Sequence, residues 1–463
     1  MPRVSLAIAF FAAGLAFVFP RLFWHMHMEP DRFLLLVLCA PAVLLGARSW
    51  LRDRSFANCW PVAMAALLVW AGLAFAEPTE SRRGLLYAMK ITMVLPIAAL
   101  VIHQRAWWFC ARMFVVGSGA ATLLTAWLQY VAERQHAYAG SVRFGSLVVD
   151  EGSVVLSNPN EVGYQLAIAS MLAFLLHLRA GARAGVGPGA ERPPGRFSLA
   201  WTVLVSAGCA LTASRTAFLG WFVGMGWLGL WATRTQALQR LKDLIGVSVV
   251  GVMLAVCFAA AIGFAPWTRL AERLVDDRTI NTLGNRTTIW QNAVRAWRSS
   301  ARHTLVGSGT GTSRELLGQF DEEAQADQYG NMLRSAHSTP LDWLLSYGLL
   351  GLSVALWLLV VLAYRAGQLD RRDPVPHRKA ILACGITLAL TDVIYVSNCW
   401  IALGALGLAM LSDPPGRGAA RPAPRPATAW PHQLPPLPCP EQQASRPQGA
   451  ARPAAMAVSR SRP

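Results

Sequence analysis

The sequence predicts an all-α membrane protein of about twelve transmembrane helices, with one large extramembrane loop of short helices between the ninth and tenth. Three observations predict it. The 463 residues are 54% hydrophobic and only 14% charged. The apolar residues fall in uninterrupted runs of span length rather than in amphipathic patterns. The basic residues sit in short segments between those runs, so the net charge of +17 is a topology signal and implies no nucleic-acid partner.

The apolar runs are Val4 to Pro20, Phe33 to Ala47, Cys59 to Phe75, Leu85 to Ile102, Trp107 to Leu128 and Val162 to Leu178. They continue with Leu199 to Leu211, Ala217 to Trp231, Leu244 to Phe264, Leu341 to Ala363, Ala380 to Val396 and Trp400 to Leu411. The first follows Pro2 and Arg3 without a small-residue cleavage site, so it reads as a retained span. With the N-terminus inside, the cytoplasmic segments hold Arg48, Arg52 and Arg54, then Arg105, then Arg179 to Arg196, then Arg234 to Lys242, then Arg365 to Lys379. The opposite side receives the loops around His25, Glu77, Gly140, Ser214 and Ser397, and the insert before Pro340. Arg82 and Arg83 depart from this pattern and are offset by Glu77 and Glu80. The eight cysteines form neither a disulfide framework nor a metal pair.

Four regions result: helices 1 to 9 over residues 1–264, the large loop over 265–339, helices 10 to 12 over 340–412, and a Pro/Arg-rich tail over 413–463 that reads as a disordered cytoplasmic segment. Within the loop, Trp267, Leu270 and Leu274, and again Trp290, Val294 and Trp297, recur at helical spacing. They predict amphipathic helices resting on the membrane or on the bundle. Thr312 and Glu315 have the spacing of a capping box, which predicts a further helix start.

The residues able to carry chemistry cluster on the outer side. His337 precedes the helix start at Pro340, where an imidazole can exchange a proton near neutral pH, although a histidine at such a junction also serves for capping or packing. Arg286 opens the helix that carries Trp290, at the end where the helix dipole disfavours a cation, which points to an external anion. Arg215 lies in the tight turn from Leu211 to Arg215 between two apolar runs, a place where a charge is costly unless it works or snorkels to a lipid phosphate. Gly307, Gly309 and Gly311 read as a flexible turn whose amides can also face a phosphate. Asp321, Glu322, Glu323 and Asp327 are adjacent rather than convergent, so they read as a solvated acidic run and not as a metal site. Lys90, Arg112 and Asp392 lie inside apolar runs without assignable partners.

Taken in order, these residues resemble the O-antigen ligase and O-antigen polymerase family of bacterial inner-membrane glycosyltransferases. The matching features are Ser157, Asn158, Pro159 and Asn160 before a span, Thr212 to Arg215 at an outer turn, Arg286 with Trp290, and His303 leading to the three glycines. His337, followed by Gly348, Leu349, Leu350 and Gly351, completes the pattern, which covers about residues 155 to 365. One departure is Ser338, where the family often has asparagine. The resemblance implies a multi-pass inner-membrane enzyme, without cofactor or metal, whose active site faces the periplasm among membrane lipids. It would transfer a glycan from undecaprenyl pyrophosphate to a lipid A-core acceptor. His337 would be the catalytic base and Arg215 and Arg286 the pyrophosphate ligands, with Asn160, His303, Gly309 and Ser338 in support. The single late loop favours the ligase branch over a polymerase, while a protein O-oligosaccharyltransferase of the same family would use the same donor and differ in its acceptor. A secondary transporter or flippase, which calls for two related halves and midplane charges, is the alternative from another class.

Overall fold

The computed structural model describes residues 1–18, 30–52, 60–74, 81–136, 144, 148–149, 154–155, 159–183, 195–212, 214–232, 286–322, 324–326, 332–370, 377–392 and 400–410, with isolated positions between 242 and 257. The chain divides into two units, Met1–Pro415 and Gly416–Pro463. The second unit, and with it nearly all of the expected tail, lies outside the described residues. So do Trp267, Leu270 and Leu274, Asn158, and most of the ninth apolar run.

Helices stand at the other apolar runs. They are α1 (Pro2–Leu15), α2 (Pro30–Arg52), α3 (Trp60–Leu73), α4 (Ser81–His103), α5 (Trp107–His136), α6 (Pro159–Arg183), α7 (Gly195–Leu211) and α8 (Arg215–Ala232). The insert contributes α9 (Arg286–Trp297), α10 (Ala301–Leu305) and α11 (Ser313–Gly318), and α12 (Thr339–Asp370), α13 (His377–Thr391) and α14 (Trp400–Met410) follow. Among the described residues, four helical segments are long and apolar enough to cross a membrane: Gly84–His103, Trp107–Leu128, Asn160–Leu178 and Thr339–Asp370. Strand structure is limited there to two antiparallel hairpins of two-residue strands, Val148–Val149 with Val154–Val155 and Gln325–Ala326 with Met332–Leu333.

Close backbone approach holds the bundle together, as expected where apolar surface has no water to escape. Gly14 on α1 faces the backbone of Phe114, Gly117 and Ser118 on α5, and a Cβ at Gly14 has no room there. Buried polar side chains add a second tie. Ser170 on α6 shares a 2.6 Å hydrogen bond with Ser206 on α7 and accepts one from the indole N–H of Trp221 on α8 at 3.0 Å. At one end of the bundle, Arg378 donates to Asp370 at 3.4 Å and to the Met410 carbonyl at 2.8 Å, joining the ends of α12, α13 and α14.

At the opposite end the insert is locked onto the helices by a break in α12. Gly348 has φ 59° and ψ −156°, a conformation essentially reserved for glycine, and it interrupts the helix. The carbonyls of Leu345 and Ser346, left without helical partners, accept from the amides of Ser308 and Gly309, each at 2.9 Å. The next amide, of Thr310, reaches the Gly72 carbonyl at 3.1 Å, and the Thr310 hydroxyl donates to the Val69 carbonyl at 2.7 Å. The glycine turn is therefore a docking element and not a flexible phosphate loop. Helix α11 does start after Thr312, but without the expected capping box: the Thr312 hydroxyl lies 2.7 Å from Ser308 Oγ and 3.0 Å from the Gly309 carbonyl, drawn back into the turn.

Replacing Gly348 by alanine is expected to lower the melting temperature of the detergent-solubilised protein. The forced backbone conformation costs about 1–3 kcal/mol, and the new Cβ would also strike the backbone of Leu305 and Val306.

The insert has its own small core. Ile289, Ala293 and Ala296 of α9 pack with Leu316, Leu317, Ala336 and Leu345, flanked by Trp290 and Trp297. The buried face of α9 is thus centred one position away from the tryptophan stripe, and it rests on the insert and on α12.

Candidate active site

The site grows from helix ends. Ser214 caps the N-terminus of α8, its Oγ accepting from the Ala217 amide at 3.3 Å and donating to Asn160 Oδ1 at 3.1 Å. That bond ties the first turn of α6 to the turn carrying Arg215, which is exposed at the first position of α8. Gly163 on α6 allows this contact, because a Cβ there would press on Ser214, Ala217 and Thr212.

Arg286 enters from α9. Its Nη1 donates to the Thr391 carbonyl at 2.6 Å and its Nη2 to Thr216 Oγ1 at 3.2 Å. Thr216 neighbours Arg215, and Thr391 ends α13. Burial holds the Arg286 pKa below the usual guanidinium value; the carboxylate of Asp392 works against that shift and the charge of Arg215 adds to it. Two arginines thus lie close enough to repel. Part of the anion expected for Arg286 is internal, since Asp392 faces it.

His337 sits on the other side of Asp392. Its Nδ1 lies 3.5 Å from Asp392 Oδ1, an ion-pair distance rather than a short hydrogen bond. Its backbone is left-handed, φ 47°, a conformation uncommon outside glycine and typical of strained functional positions. Three contacts impose it. The Thr339 amide and hydroxyl both donate to the Asp392 carbonyl, at 3.1 and 2.8 Å, and the Trp290 indole donates to the Ala336 carbonyl at 3.1 Å. The helix that presents Arg286 therefore also anchors the loop that presents His337.

Arg286 and His337 are bridged by adjacent residues, Thr391 and Asp392, whose Cα atoms are about 3.8 Å apart, so one substrate can touch both. Asn160, Arg215, Arg286 and His337 come together through this chain of contacts. Ser338 is buried immediately before α12, its carbonyl accepting from the Asp342 amide at 2.9 Å. His303 is engaged within its own segment: Nδ1 shares a 2.8 Å hydrogen bond with Ser299, and burial, then Arg302, lower its pKa. The Gly309 amide is taken by Ser346. Neither carries a contact to the histidine.

Three residues at this end of the bundle were not assigned a role from the sequence. Asp392 stood out as a charge in an apolar run but had no visible partner, and Thr216 and Arg314 gave no signal. Arg314 on α11 is half-buried; burial opposes its charge, and the charges of Tyr87, Asp342, Glu161 and Tyr164 together raise its pKa. Asp321 of the acidic run is buried and pairs with Arg334 at 3.1 Å.

The fold and the cluster define a multi-pass helical membrane protein with a polar, arginine- and histidine-bearing centre at one end of its bundle. Residues 200–356 match the family model described as O-antigen ligase, in line with the resemblance read from the sequence. No curated protein matches the chain. Arg215, Arg286 and His337 fall inside the matched region, whereas Asn160 and Asp392 fall outside it.

Proposed function

We propose that this protein is an O-antigen ligase of the bacterial inner membrane, with about twelve spans and with its active site and residues 265–339 facing the periplasm. It transfers a glycan from undecaprenyl pyrophosphate to a lipid A-core oligosaccharide. The observation that carries the reading is the convergence of Arg286 and His337 on Thr391 and Asp392, with Arg215 beside Arg286.

In this reading the acceptor hydroxyl gives its proton to Nε2 of His337, because Nδ1 is turned to Asp392. The acceptor oxygen bonds to the anomeric carbon as the bond from that carbon to the pyrophosphate oxygen breaks. Negative charge then grows on the leaving group, and Arg215 and Arg286 stabilise it. Guanidinium groups suit that task because their donors form a fixed fork. The donor already carries its leaving group, so a nucleotide site has no part in the chemistry.

Asp392 orients the imidazole in this scheme. Asp392→Asn is expected to reduce the transfer rate by tens- to a hundredfold, a fraction of the roughly 10²–10⁴ that acid–base groups contribute, with little change in KM. The backbone carbonyl that receives Thr339 is unaffected by the change. In vitro transfer from lipid-linked glycan to purified core measures it, and a selective rise in KM would instead make Asp392 a substrate ligand.

The reading as a whole is tested by lipopolysaccharide profiling of a deletion strain. Loss of all polymer from the core, with long lipid-linked chains accumulating, supports a ligase. A core capped with a single repeat unit indicates a polymerase, and an unchanged ladder overturns the assignment.

A further inference from the structure

We infer that the corner between α9 and α10 is an interfacial membrane anchor. Leu305 and Val306 sit among acyl chains there, and Arg295, Arg298 and Arg302 meet the headgroups of anionic phospholipids in the leaflet on that side. This anchor goes beyond the proposed transfer reaction and holds whichever acceptor the enzyme uses.

The level of the bilayer is set by α12. Its 32 residues would rise roughly 48 Å, far more than a hydrocarbon layer needs. Up to Gly348 the helix is wrapped by protein, with Leu344, Leu345, Ser346 and Tyr347 buried. Exposed apolar side chains begin directly after the break, at Leu349 and Leu350, and return at Leu356 and Val360. From Leu349 to Asp370, where Arg378 pairs with the carboxylate, the rise is roughly 32 Å, against about 30 Å of hydrocarbon. The break at Gly348 therefore stands at the boundary of the apolar layer.

Leu305 and Val306 are held at that level. Their backbone leaves no room for a Cβ at Gly348, and the nearby amides of Ser308 and Gly309 are bonded to the Leu345 and Ser346 carbonyls. Leu305 is nonetheless 59% exposed and Val306 38%, as are Leu349 and Leu350 in similar degree. The apolar surface of the span thus runs on into the insert. Against water such a surface is unfavourable, whereas against acyl chains it is not.

Basic groups flank this surface. Arg302 lies one helical turn before Leu305 and Val306, hence on their face of α10, and its long side chain carries the charge back toward the headgroups. The Arg298 guanidinium lies over the Trp297 ring, 5.5 Å from its centre. Trp297 is in turn fastened to α10, its indole donating to the Thr304 carbonyl at 3.0 Å. Tryptophan and arginine are both at home in the headgroup layer. Arg295 lies one turn before Arg298, and all three arginines are exposed. Between Arg286 and Arg314 the chain holds no Asp or Glu. That one-sided charge selects an anionic lipid surface over a zwitterionic one or an apolar protein partner.

The test places the full chain in vesicles of phosphatidylcholine mixed with phosphatidylglycerol, with photoreactive benzoylphenylalanine in place of Leu305, or of Val306 as a second position. Leu350, on the span itself, is the positive control. Mass spectrometry after illumination shows whether lipid is attached and which lipid it is. Acyl-chain adducts are expected at Leu305, with phosphatidylglycerol enriched at least fivefold over its share of the vesicle, since each arginine at an anionic surface is worth on the order of fivefold. Combining Arg295→Gln, Arg298→Gln and Arg302→Gln is expected to keep the adducts, abolish the enrichment and leave the melting temperature unchanged. If the combined variant does not fold, Arg302→Gln alone is expected to lower the enrichment severalfold. Adducts at Leu350 but none at Leu305 or Val306, cross-links to a second copy of the chain, or adducts without preference for the anionic lipid overturn the proposal. So does enrichment that survives the loss of the arginines. A preference for lipid A-core added at equal concentration overturns it too, and makes the corner an acceptor site instead. None of these readings requires glycan transfer, so the anchor and the proposed reaction stand or fall separately.

Discussion

Replacing His337 by alanine is expected to lower the transfer rate by about 10²–10⁴, the usual contribution of a positioned general base, and to leave the protein folded. The contacts that hold the loop and the start of α12 are made to backbone carbonyls: Trp290 donates to that of Ala336, and Thr339 donates to that of Asp392. Neither depends on the imidazole. In a deletion strain complemented with His337→Ala, the core therefore carries no polymer while lipid-linked glycan accumulates, although the variant reaches the membrane at wild-type abundance. Normal polymer on the core with this variant would remove His337 from the chemistry, and its strained φ of 47° would then need another explanation. Loss of the protein from the membrane would assign His337 a structural role instead.

The helices were legible because lipid imposes long apolar runs, and α1 to α8 and α12 to α14 lie where those runs are. His337, Arg286 and Arg215 were legible for the opposite reason, as polar groups placed beside such runs. What joins them was not. Asp392 is far from His337 in sequence, and no periodicity relates the two. They meet because α12 and α13 run in opposite directions, so that the start of one helix lies beside the end of the next. The only local signal was a carboxylate near one end of an apolar run, which is functional by default but names no partner.

The glycine turn was misread for a related reason. The acceptors for the amides of Ser308 and Gly309 exist only because Gly348 breaks α12, and a break so far along the chain leaves no mark in the turn itself.

Exchange of Arg286 for lysine is expected to reduce transfer about 10²–10³-fold, the loss of roughly 2.7–4 kcal/mol seen when one positioned donor is removed from a developing anion. Positive charge survives this substitution, so the prediction isolates the fork. Arg286 uses one Nη on the Thr391 carbonyl and the other on Thr216 Oγ1, and these two bonds aim the remaining N–H groups. A lysine ammonium is a point charge on a flexible stem and cannot hold both partners while presenting further donors in a fixed plane. It also surrenders a bond that joins α9 to the ends of α8 and α13, so the melting temperature of the variant must be read beside its rate. The defect belongs to the transition state if kcat falls while KM for the lipid-linked donor changes little. Arg286→Ala is expected to fall further, because the charge opposite Asp392 is lost as well. Lysine activity equal to wild type would mean that the centre requires only charge at this position, and the pyrophosphate fork would then have to be sought at Arg215.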